Sequence, residues 1–497
     1  MKLTVKDMDI ATGDVQVVIL NEEDAAILDL HHGDRVLVQR NSHKTVAVLD
    51  IAESAKAVPP GHVGLFEEVL KAVYAKHGDT VNVHLAKKPL SVGYIRKKMD
   101  GKELSYAEIY EIIKDIGSNK LTDIELTGYV TSNYIAGMSD REITDLTKSM
   151  ALTGSQLKIP KKVVADIHCI GGVPGNRTTL VVVPILVAAG LTVPKTASRA
   201  ITSPAGTADT MEVLAPVSLP VSKLYQILDK VGGFIIWGGS VNLAPADDRI
   251  IKVEHPLSID AHGQMLASIM AKKASVSTTH LLMDIPVGKG AKIEDRKDAV
   301  HLQAHFERLG KELGIKVLCM ITQGSEPIGN GIGPVLEARD CLWVLKNDSR
   351  APQDLRQKSL EMAAVMLEFT GTAKKGQGMQ LATKLLNSGA AYKKFAEMVR
   401  AQGGKDIDPE SLKPCALGYT YAAPRAGIVD CLDNISISRI ARMAGAPRDT
   451  CTGIELHKHC GDKVRKGDPI MTIYARSREK LNYALDLLKE LDGIIVR

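Results

Sequence analysis

The chain has 497 residues, 45% hydrophobic and 24% charged; this is ordinary globular composition, long enough for about three domains with ample core, and it excludes disorder. A net charge of +5 is mild for this length and aromatic residues are only 4%, so a nucleic-acid partner is not expected. Seven cysteines without regular spacing suit a reducing compartment. No signal h-region follows Met1, and no long stretch is continuously apolar, so a cytoplasmic protein without a membrane partner is expected.

Residues 1–85 alternate in short segments, Val15–Leu20 and Asp34–Val38, bounded by turn signals at Thr12-Gly13-Asp14 and Gly33-Asp34. This piece resembles a small double-psi β-barrel. Ala86-Lys-Lys-Pro89 reads as a linker. From 90 to 158 the period becomes helical, with capping boxes at Ser105/Glu108, Thr122/Glu125 and Ser139/Glu142. Ile109, Ile112, Ile113 and Ile116 form one apolar face that Gly117 ends; Ile143, Leu146 and Met150 repeat the pattern up to Gly154.

From 160 to 410 apolar runs alternate with helical patterns: Val163–Ile167, 180–193, Phe234–Trp237, Leu281–Ile285, Val317–Ile321 and Leu342–Leu345. That rhythm predicts an α/β domain with a mostly parallel sheet, interrupted by a helical segment at about 255–275. After Pro414, residues 415–497 return to strands and turns. Gly461–Ile470 resembles the hairpins of barrel-sandwich carrier domains but lacks Met-Lys-Met, so no prosthetic group is expected there. The fold class is therefore a multidomain α/β protein flanked by two small β-rich domains.

The chemistry concentrates in Lys195–Glu212, where hydroxyls, one Arg, one Lys and a Gly follow an apolar run. Hydroxyls and backbone N–H groups beside fixed cations suit phosphate oxygens. A second loop, Asp166-Ile-His-Cys-Ile-Gly-Gly-Val-Pro-Gly175, precedes a helix starting near Thr178 and could also meet a phosphate. It is neither a Walker A loop nor a dinucleotide fingerprint, and on its own an ordinary strand–turn–helix corner accounts for it equally well. Ser268 and Lys272 share one helical face, which by itself could be solvated surface. Asp260 could equally cap the helix that follows it. Two further sets carry less. Cys451, His457, His459 and Cys460 match no standard zinc spacing, and His301 with His305 lacks the intervening Glu of a zinc helix.

Ser198-Arg199-Ala200 followed by Gly206-Thr-Ala-Asp-Thr-Met-Glu212 resembles the signature of the thymidine/pyrimidine-nucleoside phosphorylases. His168, Gly171 and Gly172 match that family's Lys-His-Ser-Thr-Gly-Gly, but Ile167, Cys169 and Ile170 replace its Lys, Ser and Thr, and Ala197 replaces the first Ser of the signature. These departures, with the N-terminal barrel, resemble the nucleoside-monophosphate (AMP) phosphorylase branch. Val253 lies near the place of the family's pyrimidine-binding Arg, so the resemblance points to a purine.

The resemblance implies substrate contacts at Gly172, Ser198, Arg199, Ala200, Ile201, Thr202, Ser203, Thr207, Ser268, Lys272 and Lys292, with Asp260 as proton donor to the leaving base. It implies AMP and inorganic phosphate as substrates, no cofactor or metal, and a homodimer or larger homo-oligomer. It also implies that the helical domain is completed by 255–275 and that substrate lies in the cleft against the α/β domain. A thymidine or uridine phosphorylase, a phosphoribosyltransferase and a non-enzymatic nucleotide-binding assembly protein are the alternatives.

Overall fold

Strict alternation in the first eighty-odd residues puts Leu3, Val5, Val18, Leu20, Val36, Val38, Val63, Leu65, Val81 and Val83 inside a sealed core. The computed structural model describes residues 1–497 other than Asp14, Ile201, Ser258, Asp260, Asp406 and Asp492, as two compact units, Met1–Ala136 and Gly137–Arg497. In the first, six strands close into a barrel in the order Lys2–Asp7, His62–Leu65, Val17–Asn21, His43–Ala52, Arg35–Arg40 and Thr80–Leu85. Closure leaves no unpaired sheet edge. Helices Leu90–Met99, Tyr106–Gly117 and Asp123–Ala136 follow. Two of the expected capping boxes form here: Ser105 N donates to Glu108 Oε2 at 2.7 Å, and Thr122 N to Glu125 Oε2 at 2.9 Å. The barrel's buried Arg35 pairs with that Glu125.

The second unit opens with the helix Asp140–Thr153, started by the Ser139/Glu142 box and stopped at Gly154. Its centre is a parallel sheet in the order Lys316–Gln323, His280–Val287, Ala165–Cys169. A parallel bridge between Val164 and Thr192 extends it to the parallel pair Val193–Ala197 and Gly233–Trp237. Two of these apolar runs are helical: most of 180–193 lies in Thr178–Ala188, the helix expected to start near Thr178, whereas Leu342–Leu345, which the alternating rhythm puts among the strands, lies in Pro334–Lys346. Both helices are enclosed, with Leu180, Val181, Val182, Val183, Ile185 and Leu186 at 0% exposure, so no polar face marks the 3.6-residue period.

In the C-terminal part, Gly331–Ile332, Gly453–Leu456, Pro469–Ala475 and Leu417–Ala422 form one antiparallel sheet. Lys463–Val464, Gly427–Leu432 and Ile494–Val496 form another. The expected hairpin at 461–470 is therefore a connection between sheets: its arms pair with different strands, and Gly461 and Gly467, at φ 94° and 93°, turn the chain twice. Cys415 and Cys451 form a disulfide with Cα atoms 5.0 Å apart, a pairing that 36 residues of separation hide in the sequence and that a reducing compartment would not favour. No helix among the described residues is long and apolar enough to cross a membrane.

Candidate active site

The strands Ala165–Cys169, Val193–Ala197 and His280–Val287 run parallel, so their carboxyl ends lie together, where open α/β sheets place ligands. There a cavity of about 400 Å³ opens within the second unit, the size of a small-ligand site. The strand ends contribute His168, Cys169 and Lys195 to Ala197, and the glycine loop contributes Ile170, Gly171 and Gly172. Gly171 and Gly172 sit at φ 121° and 85°, a backbone that a side chain would strain. The opposite wall is helical: Asp247, Ile250, Ile251 and Glu254 from Pro245–Leu257, and Gln264, Met265, Ser268, Lys272 and Lys273 from His262–Ser275.

Of the residues expected to bind substrate, Gly172, Ser198, Arg199, Thr202, Ser203, Thr207, Ser268, Lys272 and Lys292 all line this one cavity. Ala200 is not among the lining residues; its N–H donates to Asp209 Oδ2 at 2.7 Å. Ile201 and Asp260 lie outside the described residues. The hydroxyls differ in their commitments. Thr207 Oγ1 donates to Asn176 O at 2.8 Å, and Ser203 Oγ to Ala205 O at 2.9 Å, which leaves both oxygens able to accept. Ser268 Oγ lies 3.4 Å from Lys272 Nζ, whose ammonium is held by Asp247 at 2.6 Å. Near Val253 the cavity wall presents Ile250, Ile251 and Glu254.

Two cations outside the expected set of substrate contacts complete the site. Lys195 is 3% exposed and donates to Thr196 O at 2.8 Å; burial, reinforced by the neighbouring Lys273, pushes its pKa down to about 7. Lys273, 1% exposed, pairs with Asp166 at 2.8 Å. The signals were present: Lys195 stands directly ahead of the signature, and Asp166 is a charge inside an apolar strand. With Lys272 and Lys292, four lysines border the cavity. Burial, together with these lysines, holds His168 well below its ordinary pKa, so its imidazole is neutral at pH 7. Ile167, in place of a cation, is fully buried in the core.

The set Cys451, His457, His459 and Cys460 is divided among other tasks. Cys451 is in the disulfide, His457 Nε2 meets Thr472 Oγ1 at 2.8 Å, and His459 Nε2 meets Asn330 at 2.9 Å. His301 and His305 touch through Nε2 atoms 2.9 Å apart, and His262 packs against both. Among the described residues no group of three or more His, Cys, Asp or Glu is arranged to hold a metal ion.

A cationic cavity bounded by glycine and hydroxyl loops can hold phosphate groups and, on its helical wall, a base. Comparison with known proteins agrees with this chemistry. Residues 92–154 match the "Glycosyl transferase family, helical bundle domain", residues 161–392 the "Glycosyl transferase family, a/b domain", and residues 428–494 the "Pyrimidine nucleoside phosphorylase C-terminal domain". The chain is 44% identical to an AMP phosphorylase of Methanococcus vannielii over 98% of its own length and 96% of that protein's. It is 43% identical to a Legionella pneumophila protein provisionally named thymidine phosphorylase, over 93% of this chain and 88% of that one. Among solved structures, anthranilate phosphoribosyltransferase from Thermus thermophilus aligns with a TM-score of 0.52 at 19% identity. That alignment covers 62% of this chain and 98% of the other, and the likeness is one of fold alone. The chain belongs to the thymidine/pyrimidine-nucleoside phosphorylase family and is a pentosyltransferase enzyme.

Proposed function

We propose that this enzyme cleaves AMP with inorganic phosphate, giving adenine and ribose 1,5-bisphosphate. The observation that carries the reading is the convergence of Lys195, Lys272, Lys273 and Lys292 with two anion-suited loops on one cavity, since this reaction requires two phosphate groups at once. A relative named AMP phosphorylase, matching along almost the whole chain, supports the same substrate. A phosphate oxygen bonds to C1′ as the N-glycosidic bond breaks, and the bonding pair departs with the base. Asp260 protonates the base at N7, a contribution of roughly 10²–10⁴-fold for a placed general acid. Gly172, Ser198, Thr202, Ser203 and Thr207 bind the phosphates and ribose. Lys195 supplies, from the neighbouring strand, the cation that Ile167 cannot. Lys292 adds charge, and Ser268 and Lys272 orient the base. Electrostatic positioning supplies much of the catalysis.

The same reading makes AMP the substrate, with CMP and UMP the nucleotides to be assayed beside it, needs no cofactor, and places the enzyme in the cytoplasm as a homodimer or larger homo-oligomer. It divides the chain into a double-psi-like barrel (1–85), a helical domain (90–158, completed by about 255–275), an α/β domain (160–410) and a barrel-sandwich-like domain (415–497). The relative provisionally named thymidine phosphorylase favours a second reading, phosphorolysis of nucleosides. Incubation with phosphate and, separately, AMP, CMP, adenosine, uridine and thymidine decides between them. Phosphate-dependent base release from AMP and little from nucleosides is expected; release from thymidine or uridine instead would overturn the nucleotide reading.

A further inference from the structure

Arg199 is the charged residue of the loop most easily mistaken for a phosphate ligand, yet its guanidinium is turned to carboxylates. Nη1 lies 2.5 Å from Glu212 Oε2 and Nη2 lies 2.8 Å from Glu212 Oε1, a two-pronged pairing. Nη1 also lies 3.2 Å from Asp209 Oδ1, and the group rests over the Trp237 ring, 4.9 Å from its centroid. The other oxygen of Asp209 ties the loop at both ends. It accepts from Ala200 N at 2.7 Å and from Gly206 N at 2.9 Å. Gly206 makes that closure possible, because a Cβ there would fall 2.6–2.7 Å from backbone atoms of Ser198, Arg199 and Ala200.

We infer that Arg199, Asp209 and Glu212 form a clip that holds the 200–206 loop in its anion-binding shape, and that Arg199 is a positioning residue which does not itself contact phosphate. The inference rests on the anion-binding role given to this loop under the proposed function. Three residues of the signature thereby act on one another, and ligand contact is left to the hydroxyls and N–H groups between them. Lys195 and the other lysines then supply the positive charge. Glu212 is not among the residues lining the cavity, which makes it the discriminating position.

The two roles predict opposite effects for Glu212→Gln. If Arg199 contacted phosphate directly, losing its competing carboxylate would leave phosphate affinity unchanged or raise it. If the clip operates, Glu212→Gln lowers phosphate affinity roughly tenfold, the scale of a charge-assisted hydrogen bond. Arg199→Lys, which keeps the charge but not the planar fork, does the same. The double variant then costs no more than either single change, because both break one unit. Calorimetric titration of the whole protein with inorganic phosphate reads affinity without any turnover. Steady-state kinetics should show the loss in the KM for phosphate, with kcat held within about threefold. Thermal unfolding of each variant confirms that it is folded. Phosphate affinity unchanged or tighter in Glu212→Gln overturns the clip. Wild-type protein that binds phosphate but releases no base would overturn the phosphorylase reading and leave the clip to be decided by the same titrations.

Discussion

Lys273 Nζ lies 2.8 Å from Asp166 Oδ2, with both side chains almost wholly buried, and the pair joins the helix carrying Ser268 and Lys272 to the strand that ends in the glycine loop. Asp166 also accepts from Ile167 N at 2.8 Å, so its charge is held from two directions. The pair fixes one wall of the cavity against the other.

Breaking this pair leaves a lone charge in the interior. Lys273→Met should cost about 3–5 kcal/mol of stability, whereas a Lys273→Met/Asp166→Leu double change should recover part of it. Urea unfolding of the three proteins measures both quantities. A single variant as stable as wild type would show that the pair carries no structural weight.

Lys195 should make stability depend on pH. Its folded pKa of about 7 lies below the ordinary 10.5, so between these values the unfolded chain binds a proton that the folded protein does not. Stability contributed at this site therefore rises with pH from about 7, by at most about 1.4 kcal/mol per unit. Comparison of wild type with Lys195→Met across pH 7 to 9 should show the rise in wild type alone. Bound phosphate should flatten it by holding the ammonium charged.

Arg177 is 0% exposed and faces two buried carboxylates, Glu337 at 3.3 Å and Asp340 at 3.5 Å. Burial pushes Glu337 up to about 7, although Arg177 pulls it the other way. Without Arg177 both acids would sit still higher, so Arg177→Met should lose about 3–5 kcal/mol near pH 8. The loss should shrink near pH 5, where protonation removes the buried charges. A denaturation series at the two pH values tests the sign.

Asp260→Asn should keep AMP binding and lose roughly 10²–10⁴-fold in kcat, because an amide cannot give up a proton to N7. Equilibrium binding and single-turnover base release separate the two effects. Unchanged turnover would remove Asp260 from the reaction.

What could be read before folding was local. Capping boxes at Ser105, Thr122 and Ser139 and the stops at Gly117 and Gly154 depend on residues within a turn of one another, and they stand where their spacing put them. The signature was legible for the same reason: Arg199, Asp209 and Glu212 meet within fourteen positions, so their order along the chain already carries the geometry. The enclosed helix Pro334–Lys346 could not be told from a strand, since burial on every side erases the polar face that distinguishes it, and Thr178–Ala188, equally enclosed, was marked only by the glycine loop ahead of it. Folding alone brought together Asp166 and Lys273, 107 residues apart, and Arg177 and Asp340, 163 apart. The order of residues set which chemical groups are available and how they sit on their own elements. The fold settled which charges are stripped of water and what then neutralises them, because desolvation depends on neighbours that the linear order does not contain.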